Sequence, residues 1–129
     1  MTTTHRVVNT LTILRVHGRL AADPDAAALD AVRRAIDEAA ATAVDLAIEL
    51  SRVDTIDSEG IGELARALAR ISHRGGRLAL IAPSVAVAKI LSVTRLDTVF
   101  HVLPSEQAAI EVLVDGLRGS RAVSVLAFL

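Results

Sequence analysis

The apolar positions of this chain fall into short β-branched runs separated by longer stripes of helical spacing. Residues 6–8 and 11–17 predict two short strands in hairpin contact, running into Gly18. Asp23-Pro24 then reads as an N-cap with proline at the first helical position. Leu29, Val32, Ile36 and Ala39 or Ala40 recur at helical spacing, while Asp30, Arg33, Arg34, Asp37 and Glu38 take the opposite face, which predicts an amphipathic helix. Residues 44–50 are apolar and bounded by polar positions, the mark of a buried strand. Ile61, Leu64, Ala65, Leu68 and Ile71 form the cleanest helical stripe, ended by Gly75 or Gly76 in a left-handed C-cap. Residues 77–82 predict another buried strand, closed by Pro83, and Ser84 caps a short helix after it. A last strand is expected at 98–103 and a final helix at about 106–117, opened by Ser105.

The order β-β-α-β-α-β-α-β-α predicts an α/β fold: a mixed sheet of about five strands, the later ones largely parallel, with helices packed on it. In such sheets function gathers at the carboxyl ends of strands. The segment SRVDTIDSEG, residues 51–60, leaves that end of the 44–50 strand and reads as a long loop. A length of 129 residues suits one domain, taken as 1–118. The apolar tail 119–129 follows a Gly-Ser break, and its role is open among an extra strand, an oligomer contact and a non-native remnant.

Composition narrows the function classes. Aromatic residues make up 2% of the chain and there is no Tyr or Trp, so little is available to stack on bases. With 14 basic against 15 acidic residues there is no basic excess, and direct nucleic-acid binding is not expected. The absence of cysteine excludes disulfides, thiolate metal sites and a Cys nucleophile. The opening residues lack an apolar core and no apolar tract approaches the roughly 20 residues of a membrane helix. A cytoplasmic domain without membrane insertion is the expectation.

Asp57-Ser58-Glu59-Gly60 is the chemically loaded stretch. As a helix start, Ser58 or Asp57 would accept from free N–H groups, worth about 1 kcal/mol. Glu59 and Glu63 would favour the positive helix end, and Arg66, Arg70 and Arg74 the negative end. Gly60-Ile61-Gly62-Glu63-Leu64-Ala65 fits a dinucleotide fingerprint, but a long loop precedes the glycines and the next strand ends without an acid; Gly62 is instead expected to let the helix approach the sheet. A phospho-acceptor receiver would need clustered acids and a strand-ending lysine, whereas the single lysine, Lys89, falls within a helix. Ser58 has no glycine two residues before it, and neither His5, His17, His73 nor His101 has the spacing of a metal site.

Residues 47–102 resemble the STAS domain family, the fold of anti-sigma factor antagonists, and the likeness extends over about 7–117. Its specific core is Asp-Ser-x-Gly between a strand and a helix, met by Asp57 to Gly60; RGGRLAL and ILSVTRLDTVF match the next helix end, strand and helix-turn-strand. The resemblance implies a binding protein and no enzyme, with no cofactor and no metal. It implies phosphorylation of Ser58 by an anti-sigma factor that is a serine kinase, release of that partner, and reversal by a serine phosphatase: partner switching in control of transcription and stress response. Asp54, Thr55, Asp57, Ser58, Glu59, Gly60, Glu63 and Arg66 are the expected partner surface, and a homodimer is left open. Three positions depart from the family pattern. Glu59 stands where a small or hydroxyl residue is usual, Glu49 where a strand-end Asp is frequent, and Arg95 where a turn glycine is frequent. Phosphate beside Asp57, Glu59 and Glu63 would repel a partner fitted to the bare hydroxyl. The alternative is a STAS interaction subunit without a phosphorylation switch, as in a lipid-transport ABC complex or a stress-signalling scaffold.

Overall fold

The computed structural model describes residues 2–8, 10–22 and 26–115. The strands are β1 (Thr2–Val8), β2 (Leu11–Leu20), β3 (Asp45–Ile56), β4 (Leu78–Ile81) and β5 (His101–Leu103). The helices are α1 (Ala26–Thr42), α2 (Ser58–His73), α3 (Val85–Val93) and α4 (Glu106–Ile110), with a 3-10 turn at Leu96–Thr98 and a π turn at Glu111–Asp115. The sheet runs β1-β2-β3-β4-β5; β1 is antiparallel to β2 and every other pair is parallel. This is the mixed five-stranded sheet and element order that the sequence predicts.

Alternation along the strands serves two cores, because successive side chains point to opposite faces. Leu14, Val16, Leu20, Leu46, Ile48, Leu50, Leu78 and Leu80 pack with the buried faces of α1, α2 and α3. Leu11, Ile13, Ala47, Ala79 and Ile81 pack on the other face with Ala109, Leu113 and Val114. A bidentate pair from Arg15 to Glu106, at 2.6 and 2.7 Å, ties the start of α4 to β2.

The α1–α2 seam is ionic. Arg33 Nε meets Glu63 Oε2 at 2.8 Å, and Arg66 and Arg70 both reach Asp37 Oδ1, at 2.9 and 2.8 Å. Arg74 donates to the carbonyls of Ala41 and Ala43, at 3.0 and 2.7 Å, and to that of Ala40, closing the C-terminal end of α1. Gly75, at φ 83°, supplies the left-handed turn expected after α2.

The structure corrects several boundaries. The segment 51–56 is strand, because β2 itself continues to Leu20 and offers a partner: Gly18 pairs with Val53, Arg19 with Thr55 and Leu20 with Ile56, across two register shifts. Val53 is fully buried there and Ile56 packs against the larger core, which repays the extension. The expected ten-residue loop thus shrinks to Asp57. The expected strand at 98–103 yields only β5, since Leu96–Thr98 close a 3-10 turn. The final helix changes to a π turn after Ile110. The Asp23-Pro24 cap and the 119–129 tail lie outside the described residues.

Candidate functional site

Asp57 stands between the end of β3 and the start of α2, with an extended backbone at φ −119°, ψ −174°. Its Oδ1 accepts the Gly60 N–H at 2.9 Å, and its Oδ2 accepts the Ala22 N–H at 3.1 Å. One carboxylate therefore caps α2 and binds it to the segment leaving β2. The Gly60 N–H, first, and then that of Ala22 hold this carboxyl below the usual carboxylate range, against the opposing effect of burial. The cap expected of Ser58 or Asp57 is thus made by Asp57.

Gly60 makes the clamp sterically feasible. A Cβ there would lie 1.9 Å from the Leu20 carbonyl oxygen, so only glycine lets the first turn of α2 rest on the end of β2. The approach expected of Gly62 falls to Gly60; a Cβ at Gly62 would meet nothing within 4 Å. A third tie comes from α3. Ser84 Oγ donates to the Val53 carbonyl at 2.6 Å while accepting the Val87 N–H at 3.3 Å. The helix-capping role of Ser84 is legible in sequence, but its hold on β3 is not.

Ser58 is the first helical residue and is exposed. None of the hydrogen bonds among the described residues engages its hydroxyl. Glu59 is exposed next to it, Asp54 is exposed on β3, and Thr55 is half-buried, with Arg19 Nη1 3.4 Å from its Oγ1. Asp54, Thr55, Asp57, Ser58, Glu59 and Gly60 are thus consecutive or nearly so at the carboxyl end of β3. Glu63 and Arg66 are placed differently. Glu63 is 7% exposed, with its carboxylate held by Arg33 and, at 3.2 Å, by Arg66 Nη2. Arg66 is exposed, but its guanidinium is directed to α1 through Asp37. The amides expected to be free for a phosphate are partly engaged, since Asp57 takes that of Gly60.

The glycines follow β3 with only Asp57 to Glu59 between, which removes the long loop as an argument against dinucleotide binding. Two others stand against it: the Asp57 carboxylate occupies the helix start where a pyrophosphate would sit, and β4 leads into Ala82-Pro83 with no acid. His17 lies on β2, His73 at the end of α2 and His101 on β5. Among the described residues no group of three or more His, Asp or Glu is arranged to hold a metal, and no helix is long and apolar enough to cross a membrane.

A model of the STAS domain matches residues 2–109. Curated relatives from Thermotoga neapolitana and Thermotoga maritima, each named as a candidate anti-sigma factor antagonist, are 36% and 37% identical over 62 residues, 48% of this chain and 55% of their own. The matched stretch spans about half the length of those relatives. Among solved structures, the candidate anti-sigma factor antagonist of Thermotoga maritima superimposes with a TM-score of 0.75 and 26% identity, over 85% of this chain and 92% of its own. The anti-sigma factor antagonist SpoIIAA in its unphosphorylated form gives 0.71 at 21% identity, over 95% of this chain and 100% of its own. SpoIIAA of Bacillus in the phosphorylated form gives 0.67 at 20%, over 86% and 98%. At these lower identities the SpoIIAA likeness is one of fold.

Proposed function

Because the chain belongs to the STAS domain family, we propose that it is an anti-sigma factor antagonist that acts by binding, with Ser58 as the residue whose phosphorylation releases its partner. The observation that carries this reading is the state of Ser58: an exposed, unbonded hydroxyl on the first residue of a helix whose start is already clamped by Asp57. The partner is an anti-sigma factor that is itself a serine kinase, and a serine phosphatase restores the bare hydroxyl. That SpoIIAA exists in unphosphorylated and phosphorylated forms, both matching this fold, supports a modification the fold tolerates.

In the forward step the kinase transfers the terminal phosphoryl group of a nucleoside triphosphate to Ser58 Oγ. The Oγ–P bond forms, the bond to the diphosphate breaks, and the hydroxyl proton passes to a base. No base of this chain is hydrogen-bonded to Ser58 among the described residues, so the kinase supplies it. The phosphate brings about −1.5 to −2 charges beside Asp57 and Glu59. The positive end of α2 offsets part of this, but Asp57 already holds the Gly60 amide there. A partner surface fitted to a neutral hydroxyl then meets bulk, repulsion and a desolvation cost. Because Asp57, Gly60 and Ser84 hold the scaffold without using Ser58, release needs no rearrangement of the domain.

The test compares wild type, Ser58→Ala and Ser58→Asp as baits in native extract, followed by phosphorylation with the recovered kinase. A kinase bound by wild type, bound at least about tenfold more weakly by Ser58→Asp, and unable to label Ser58→Ala would support the switch. Transporter or scaffold subunits bound equally by all three would reassign the chain to an interaction subunit, with Ser58 as a simple helix-start residue.

A further inference from the structure

The far end of α2 carries a second surface, which shares only Arg66 with the partner surface expected around Ser58. Arg66, Arg70 and Arg74 recur every four residues on one helix face and, with Ala69 and His73, line a cleft of about 420 Å³. Arg74 lies about 24 Å along the helix from Ser58, from the ~1.5 Å rise per residue. Arg66, at about 12 Å, is common to both, and the separation of the Arg70–Arg74 end is what lets a ligand there be held apart from Ser58.

Charge at this cleft is unbalanced. Across the α1–α2 seam four guanidiniums, of Arg33, Arg66, Arg70 and Arg74, face the three carboxylates of Asp30, Asp37 and Glu63. Asp30 and Glu63 are both bound by Arg33, toward the Ser58 end, and Glu63 also takes Arg66 Nη2 at 3.2 Å. At the other end Arg66 and Arg70 share one oxygen of Asp37, and Arg74 bonds only to neutral carbonyls. A local positive excess results in a chain whose formal net charge is −1.

The donors are also fixed in place. Arg70 reaches Asp37 through Nη1 alone, which leaves its Nε–Nη2 edge, the edge that grips a carboxylate in bidentate fashion. Arg66 uses Nε and Nη2, leaving Nη1. Anchoring by α1 has already cost these side chains much of their rotamer freedom, so a ligand pays less to bind them. Between the cations, Ala69 and the arginine methylenes form an aliphatic floor. No Phe, Tyr or Trp lines the cleft, His73 being its one ring, and no helix start offers amides to a phosphate. Spaced cations over an aliphatic floor fit carboxylates separated by aliphatic side chains.

We propose that the Arg66–Arg70–His73–Arg74 face of α2 docks an acidic, aliphatic-containing segment of a partner protein, independently of the state of Ser58. The test is fluorescence anisotropy with a labelled glutamate–leucine peptide, a matched lysine–leucine peptide and inorganic phosphate as competitor, with amide shifts mapping the contact. The acidic peptide should shift amides around residues 66–74, weaken as salt is raised, and bind equally to Ser58→Asp. Arg70→Gln should weaken it about threefold and His73→Glu more, since exposed ion pairs are individually modest. His73 is exposed and joins no ion pair of the seam, so His73→Glu should keep the wild-type melting temperature and separates lost docking from lost folding. Equal binding of the lysine peptide, unchanged affinity in both variants, or shifts confined to other elements would overturn the proposal. So would displacement by phosphate at concentrations matching those of the peptide, which would leave a small-oxyanion site only.

Discussion

At Arg95 the backbone sits at φ 62°, ψ 20°, the left-handed region, directly after the Thr94 cap of α3. A side chain there costs about 1–2 kcal/mol in Cβ–carbonyl crowding, which glycine avoids. Part of that gain is returned through the freer unfolded chain. Arg95→Gly is therefore expected to raise stability by about 0.5–1 kcal/mol and the melting temperature by a few degrees. An unchanged or lower transition in a thermal melt would show that the arginine makes a compensating interaction. The departure from glycine is visible in the sequence, and the backbone angle explains what glycine would do there. Ala82 has the same problem at φ 49°, held by its N–H to the Leu103 carbonyl at 2.7 Å. Nothing in its identity signals this, since alanine is neutral about turns and the following Pro83 argues for extended backbone.

At the scale of elements, α2 is positioned by contact of its first turn with the end of β2. A methyl at Gly60 has no room beside the Leu20 carbonyl, so Gly60→Ala must lift the helix start and strain both bonds of Asp57. We expect a loss of about 2–3 kcal/mol, of the order of overpacking a core. Gly62→Ala, in open space on the same helix, should instead gain roughly 0.5–1 kcal/mol from helix propensity. Urea unfolding of the two variants side by side checks the contrast, and equal effects would mean that the helix start is not seated on β2. The sequence offers both glycines, and the reading from it falls on Gly62, whereas Gly60 is the one that touches the sheet. That contact depends on β2 and β3 continuing past Gly18 and Leu50, where Ser51, Arg52 and Asp54 make a strand look like a loop. Val53 and Ile56 carry the alternating apolar signal, but two register shifts blur it.

For the whole molecule, the pH dependence of stability should reflect a carboxyl far from the Ser58 site. Asp45, 3% exposed at the start of β3, is pushed up to about 7 by burial, against the lowering effects of the Arg77 N–H at 2.7 Å and the Arg77 charge. Its native pKa lies above the unfolded value of 3.8, so its contribution to stability is full below about 4 and is lost as pH rises through about 7. Asp57 acts in the opposite sense: its pKa is depressed, and its contribution is present above the unfolded value and lost on acidification. Between pH 5 and 8 Asp45 dominates the two. Wild type should lose roughly 1–3 kcal/mol over that interval, while Asp45→Asn, whose side-chain oxygen still accepts from Arg77, should give a flatter profile. A wild-type profile that rises with pH, or one shared by the variant, would refute this. Hydrophobic period and turn residues made the element order readable, because each element reports locally on its own burial. The depth of Asp45 was not readable, since it arises where the 77–78 segment of another element covers the strand start.

The division of labour between Asp57 and Ser58 has a consequence for how such a domain can change over time. Asp57 holds two segments together whether or not any phosphate is ever attached next door. Ser58 holds nothing among the described residues, so losing the hydroxyl should leave the architecture untouched. If the proposed switch acts at Ser58, a descendant could abandon it in a single step and remain a folded binding module. The aspartate would persist in it as a structural inheritance, because its two bonds hold the helix start whatever stands at position 58.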